Sequence, residues 1–232
     1  QYSIDFINMN PVNTRILKNP EFLYERNKIL WDYVKDDKNL KDDLKFFDDL
    51  REKTKAAIYN DGLKPYSNPY YDSYVKYMRQ ITENNFKYLK KLFGIHNIKY
   101  EVSAGKIRLV LKNFSPVYVK DIRLSSDASN GLTRYVYYDK NNNASIDAND
   151  TLMGKLTYDA EKKIYSYKEI KRADFNTERE WQISKSSIAT DYQRWQEKGL
   201  SETRYNILIS SLVSKTEKIS ITFQDSITGE EI

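Results

Sequence analysis

The chain of 232 residues contains no cysteine, a single histidine and only seven glycines. Without cysteine it has no disulfide framework, no thiolate metal site and no cysteine nucleophile. Its glycines lie too far apart to build a Gly-rich phosphate-binding loop, which excludes a P-loop or a dinucleotide-binding fold within these residues. No apolar run is long enough to span a membrane. These absences exclude several classes of cofactor-dependent enzyme.

Charge is nearly balanced along the chain. The 38 basic and 33 acidic residues give a net charge of +5, and neither side of Asn97 is strongly basic. We therefore expect no nucleic-acid partner, because such a partner requires a concentrated basic surface. A composition that is 40% hydrophobic and 31% charged is typical of a globular chain.

The first part of the chain has a helical period. Leu40, Leu44, Phe47 and Leu50 recur at steps of three and four residues, which predicts an amphipathic helix. A shorter helix is predicted to begin at Pro20. A third stripe runs from Tyr70 to Phe93, and Gly94 is expected to close it in a left-handed conformation.

From Asn97 onward the period changes to two, and β-branched and aromatic residues dominate. A hairpin is predicted over 98–111, with further strands at 117–124, 133–138, 151–158, 164–170, 205–213 and 219–223. We therefore predict an α+β chain, with a helical region over 1–96 and a mostly antiparallel β-sandwich domain over 97–232. Whether the two parts fold independently is left open.

The two ends indicate a fragment. The sequence begins at Gln1 rather than Met, and it stops at Ile232 directly after a predicted strand and turn. We expect a piece of a larger protein, such as an ectodomain, with any membrane anchor outside it.

The most specific motif is the polar run from Asp139 to Asp150. Oxygen-bearing residues stand at alternate positions of a tight loop, as hard cations such as calcium require. The candidate ligands are Asp139, Asn141, Asn143, Ser145, Asp147 and Asp150.

These twelve residues resemble an EF-hand loop, especially the dockerin-type and bacterial extracellular variants that end in Asp. The resemblance implies calcium ligation by the six candidate residues, with Ser145 acting through its backbone carbonyl. Ala144 stands where the family usually has glycine, which predicts strain at a turn of positive φ. The flanking residues alternate like strands, so the loop is expected to bridge a hairpin. The alternative is a polar hairpin loop that binds no metal.

Two aromatic groups are further binding candidates. Tyr66, Tyr70 and Tyr71 suit a stacking platform for sugars or proteins, although Tyr70 shares one helical face with Tyr74 and Tyr77, a pattern also typical of packing. Trp181 and Trp195 flank the carboxylates Glu178, Glu180, Asp191 and Glu197, the residue types that glycoside hydrolysis uses. Chance is a sufficient explanation for such pairs in a chain rich in acidic residues.

Two functional hypotheses follow. The first is a non-enzymatic binding or interaction module, stabilised by calcium and located outside the cell, on its surface or in the periplasm, with a protein or glycan partner. It assigns no catalytic residue, because His96 is alone and is expected to have a structural role. The second is a carbohydrate-active enzyme or its accessory domain. The sequence does not fix the oligomeric state.

Overall fold

The computed structural model of the chain describes residues 16, 19–103, 105–111, 113–125, 132–175, 203–211 and 218–232. In these ranges three helices precede nine strands. The helices are α1 (Pro20–Val34), α2 (Asp37–Asn60) and α3 (Asn68–Phe93). The strands are β1 (Ile98–Ser103), β2 (Lys106–Leu111), β3 (Val117–Ser125), β4 (Arg134–Asp139), β5 (Thr151–Asp159), β6 (Ile164–Glu169), β7 (Asp174–Phe175), β8 (Thr203–Ile209) and β9 (Lys218–Asp225).

A polar side chain caps the N-terminus of each helix. Asn19 Oδ1 accepts the backbone N–H of Glu21 at 2.9 Å at the start of α1, and Asp36 accepts that of Lys38 at 2.8 Å at the start of α2. Ser67 caps α3 through Tyr70 N. Each cap satisfies a backbone donor that the first turn leaves unpaired. Gly94 ends α3 with φ −83°, so the expected left-handed closure is wrong.

Ion pairs join α2 and α3 as an antiparallel pair. Arg51 on α2 lies 3.1 Å from Asp72 near the start of α3, and Asp48 lies 2.9 Å from Arg79. No residue of α2 is buried. Lysine and aspartate make up much of its surface. Solvent-exposed ion pairs contribute little each, which makes this a lightly packed pair of helices.

All described strands belong to one antiparallel sheet in the order β1-β2-β8-β4-β5-β6-β3-β7, with β9 paired to the other side of β3. The α+β class is therefore confirmed. The sheet curls into a half-barrel, and Tyr100 on β1 approaches Phe223 on β9 with a ring separation of 6.5 Å. A sandwich needs two sheets packed face to face, and this second sheet is not confirmed.

The core lies on the concave face of the sheet. Alternating residues of the strands point inward, because successive side chains of a strand face opposite sides. On β3, buried Ile122 and Leu124 alternate with exposed Arg123 and Ser125. The fully buried residues of this core include Ile107, Leu109, Leu111, Val117, Ile122, Leu124, Val136, Leu156, Tyr165 and Ile207.

The chain divides into two compact units. One is Arg26–Gly94, and the other is Ile95–Ile232 with the described residues before Arg26. The predicted division into a helical region over 1–96 and a β domain over 97–232 stays a prediction, and whether the two parts fold independently stays open. None of the helices in the described ranges is long and apolar enough to cross a bilayer.

Candidate calcium site

The acidic loop joins two paired strands of the sheet. β4 and β5 are antiparallel neighbours, β4 ends at Asp139, and β5 begins at Thr151. Asp139 is fully buried and Thr151 is 9% exposed. The sheet therefore fixes both ends of the loop.

Asp139 organises the first half of the loop. Its carboxylate accepts the N–H of Asn143 at 3.2 Å and that of Ala144 at 2.9 Å. Asn206 on β8 donates its side-chain amide to the same carboxylate at 3.2 Å. These bonds wrap the chain around Asp139 and compensate the burial of its charge.

Two residues of the loop adopt positive φ. Asn142 has φ 55° and Ala144 has φ 65°, a conformation that asparagine tolerates and alanine does not favour. The strain expected at Ala144 is therefore present. The hydrogen bond from Ala144 N to Asp139 stabilises this backbone conformation.

Asp147 is the point on which the asparagines converge. Its Oδ2 accepts the amide of Asn141 at 2.9 Å and that of Asn143 at 2.7 Å. Its Oδ1 accepts the backbone N–H of Asn149 at 2.7 Å. These donors, led by Asn149 N, lower the pKa of Asp147, because they stabilise the ionised carboxylate.

Asp150 has one satisfied and one unsatisfied oxygen. Oδ2 accepts the N–H of Asp147 at 2.9 Å, whereas Oδ1 is buried and finds no hydrogen-bond partner among the described residues. A buried carboxylate oxygen without a donor is unfavourable. A bound cation would satisfy this oxygen.

Ser145 is less constrained than the other candidates. It is exposed, and its N–H donates to Asn143 Oδ1 at 2.7 Å. Side chains of His, Asp and Glu alone form no metal-holding group of three in the described ranges. A metal ion in this loop would therefore need amide and carbonyl oxygens as well as carboxylates.

The tyrosine platform is exposed. Tyr66 and Tyr70 are 40% and 60% exposed, while Tyr74 and Tyr77 are 51% and 57% exposed. Tyr66 stacks on Tyr71 with an interplanar angle of 15°. The exposure of Tyr70, Tyr74 and Tyr77 argues against a place in the core for this stripe, and its role in binding stays a prediction.

The second aromatic group belongs to a different part of the chain. Trp181 and Trp195, together with Glu178, Glu180, Asp191 and Glu197, lie outside the described residues. The carboxylate hypothesis stays a prediction.

His96 belongs to a polar cluster at the end of the chain. Its Nε2 lies 3.0 Å from Glu230, and its Nδ1 lies 3.6 Å from Asp225. Ser115 hydrogen-bonds to the same Asp225 carboxylate. Nδ1 of His96 has no hydrogen-bond partner among the described residues, so within them the imidazole does not form the hydrogen bond by which a histidine activates a serine nucleophile.

Two residues that contact the first half of the loop, Asn142 and Asn206, were not among the predicted ligands. Asn206 donates to Asn142 Oδ1 as well as to Asp139, both at 3.2 Å. The sequence weakly indicated the turn at Asn142, because asparagine adopts positive φ more readily than most residues. No local pattern could reveal Asn206, since its contact depends on β8 lying beside β4.

No protein-family model, curated protein or solved structure matches this chain. The interpretation of the loop therefore depends on its own residues and geometry.

Proposed function

We propose that the chain is a non-enzymatic binding or interaction module that calcium stabilises. Asp139, Asn141, Asn143, Asp147 and Asp150 supply side-chain oxygens, and Ser145 supplies its backbone carbonyl, as the resemblance to an EF-hand loop implies. The observation that carries this proposal is the buried Oδ1 of Asp150, which has no hydrogen-bond partner among the described residues.

The charges of the loop support a divalent cation. Asp139, Asp147 and Asp150 place three carboxylates in one twelve-residue loop, and the amides of Asn141 and Asn143 donate to Asp147. For calcium to bind, these two amides rotate so that their oxygens face the ion. The cation then replaces the amide donors as the partner of Asp147, which strengthens the link between the ends of β4 and β5.

Affinity is expected to be modest. With three carboxylates, the dissociation constant belongs to the class of extracellular modules, roughly 0.1 to 1 mM. Such a site fills where calcium is millimolar, so we place the protein outside the cytosol, at a cell surface, in the extracellular space or in the periplasm.

Thermal melts in calcium and in chelator test the metal site. At ten times the dissociation constant, calcium is expected to stabilise the native state by about 1.4 kcal/mol. Asp150→Asn should remove most of this increment while keeping the shape of the side chain. Asp159→Asn is the matched control, because Asp159 caps the turn after β5 through Glu161 N and Lys162 N. Identical melts of the wild type in calcium and chelator would contradict the proposal.

The partner is a protein or a glycan. Exposed Tyr66 and Tyr70 favour stacking against sugar rings or apolar side chains, since tyrosine offers contact area at low entropic cost. The second candidate function, a carbohydrate-active enzyme or accessory domain, is favoured by the same exposed rings.

A polysaccharide-binding screen followed by a reducing-sugar assay distinguishes the two functions. Binding without turnover, lost in Tyr70→Ala but kept in Tyr135→Ala, is the result expected of a glycan-binding module. Tyr135 is the control because it is 41% exposed on β4. Release of reducing sugar would establish the enzyme instead.

A further inference from the structure

Strand β1 forms an open edge of the sheet. Among the strands that the structure describes, it pairs only with β2. Ile98 is half-buried and the other five residues of the strand are exposed, with Tyr100 38% and Val102 42% exposed. Strand edges usually carry proline, a bulge or a covering segment that prevents further pairing. Residues 98–103 contain no proline, and their register with β2 is uninterrupted.

The backbone groups that face outward can be assigned from the next strands. Gly105 O accepts Ile209 N at 2.8 Å, so alternate residues Ile107 and Leu109 direct their backbone groups toward β8. The intervening Arg108 and Val110 therefore face β1.

The partners of Arg108 and Val110 are Glu101 and Lys99, whose backbone groups are thus engaged with β2. The N–H and C=O groups of Ile98, Tyr100 and Val102 point away from the sheet. Within the part of the chain that the structure describes, they form a row of donors and acceptors without a backbone partner along the edge.

The sequence of this edge is complementary to itself. When two copies run antiparallel about a two-fold axis through Tyr100, Lys99 of each lies opposite Glu101 of the other. Ile98 lies opposite Val102 in the same register. Lys99 and Glu101 fall at positions without backbone hydrogen bonds between the copies, where cross-strand side chains are closest.

We propose that two copies of this chain associate through antiparallel pairing of their β1 strands, centred on Tyr100. Ile98, Tyr100 and Val102 exchange backbone hydrogen bonds with the second copy, and two symmetric Lys99–Glu101 pairs set the register. The contact is isologous, so it closes as a dimer and does not propagate. A strand of six residues buries less area than a permanent dimer needs, which predicts a reversible, concentration-dependent complex.

The opposite end of the sheet does not offer the same surface. The last residues of the chain return along β9, where Phe223 N donates to Ile232 O at 3.0 Å and Ile232 N donates to Phe223 O at 2.9 Å. This return covers part of the β9 edge.

Sedimentation velocity of the full chain over a range of concentrations tests the dimer. The wild type should shift from monomer to dimer. Lys99→Glu places like charges opposite each other twice and should weaken association roughly 10- to 30-fold. Lys155→Glu is the matched control, because it changes net charge equally on β5, which pairs on both sides, and it should leave association unchanged.

A mixing experiment tests the register. The Lys99→Glu and Glu101→Lys variants should each dimerise weakly alone, but an equimolar mixture should form a heterodimer as strong as the wild-type dimer. Val102→Pro removes an outward N–H without breaking a bond to β2, and it should abolish association while the circular dichroism spectrum stays native.

Three results would overturn the proposal. The first is a monomeric wild type at every concentration. The second is a dimer that neither Lys99→Glu nor Val102→Pro weakens, and the third is a mixture that associates no better than its two components. Should Val102→Pro fail to fold, the mixing experiment decides alone, with thermal melts reporting the stability of both charge variants.

Discussion

Gly154 on β5 lies directly against the ring of Tyr167 on β6. A Cβ atom at Gly154 would lie 2.4 Å from Tyr167 Cε2 and 2.6 Å from the backbone oxygen of Lys168. Tyr167 Oη also donates to Met153 O at 3.2 Å, and burial raises the pKa of this phenol. The missing side chain at Gly154 thus makes the space that the Tyr167 ring occupies.

The first prediction is that Gly154→Ala destabilises the sheet. The ring of Tyr167 can rotate away, but the backbone of Lys168 cannot move without disturbing the ladder between β5 and β6, so we expect a loss of about 1–3 kcal/mol. Urea denaturation measures it. Gly62→Ala is the control, because nothing lies within 4 Å of its added Cβ. An equal effect of both substitutions would contradict the packing argument.

The second prediction concerns the strained residue of the acidic loop. Ala144 has φ 65°, so Ala144→Gly should stabilise the protein by about 1 kcal/mol in chelator, because it removes a Cβ from a left-handed conformation. Lys163→Gly, at φ 53° in the turn after β5, should give a similar gain.

Calcium titration separates these two glycine variants. Only Ala144→Gly should tighten calcium binding, since only this residue belongs to the proposed site. A tighter site in both variants would argue against a local effect.

The third prediction is an acid dependence of the helical unit through Asp72. The hydrogen bond from Tyr59, together with that from Arg51, lowers the pKa of Asp72 from its usual 3.8. A lowered folded-state pKa stabilises the native state above the unfolded pKa, and this contribution is lost as the pH falls through the folded value. Asp72→Asn should therefore lower the thermal midpoint at pH 7, and the difference from the wild type should shrink below pH about 4.

Asp42→Asn is the control for this titration. Asp42 pairs with Lys38 one turn away on α2, and its side chain is 57% exposed. We expect a small effect, because exposed pairs of this spacing contribute little. A difference between Asp72→Asn and the wild type that stays constant from pH 7 to pH 3 would refute the role assigned to Asp72.

The fourth prediction concerns the buried carboxylate near the end of the chain. Asp225 is 1% exposed, and its Oδ1 accepts the N–H groups of Ile227 at 2.7 Å and Thr228 at 2.8 Å. Ser115 is a third partner. Asp225→Ala should therefore cost about 3 kcal/mol, because it leaves these donors without their acceptor.

Asp225→Asn separates the hydrogen bonds from the charge. It keeps an oxygen for the two backbone donors, so we expect a smaller loss in chemical denaturation. Equal losses for both substitutions would mean that the negative charge, and not the acceptor, stabilises this turn.

The sequence predicted the elements of the fold well. Periodicity located α1, α2 and α3, and the alternation after Asn97 located most of the strands, because both patterns record which side chains face a core. It missed β7, whose two residues, Asp174 and Phe175, are too few to show a period. It also failed at Gly94, because a glycine permits positive φ without requiring it.

The arrangement of the strands was not predictable from local pattern. Alternation shows that one face of each strand is buried, and this holds equally for a sandwich and for a single curled sheet. What distinguishes them is which strands pair, and β8 lies between β2 and β4 through contacts far apart in sequence. The same reason hid Asn206, whose neighbour Asp139 comes from another strand.

The position of β8 has a consequence for the order of folding. Hairpins such as β1–β2, and the run from β4 through β5 to β6, join neighbours in sequence, so each can form soon after it leaves the ribosome. The bridge between these two pieces is β8, which pairs Lys106 with Leu208 and Asp139 with Asn206. Until Thr203–Ile209 is synthesised, two incomplete sheets expose their central edges. Non-local closure of this kind slows folding and leaves nascent chains open to misassembly.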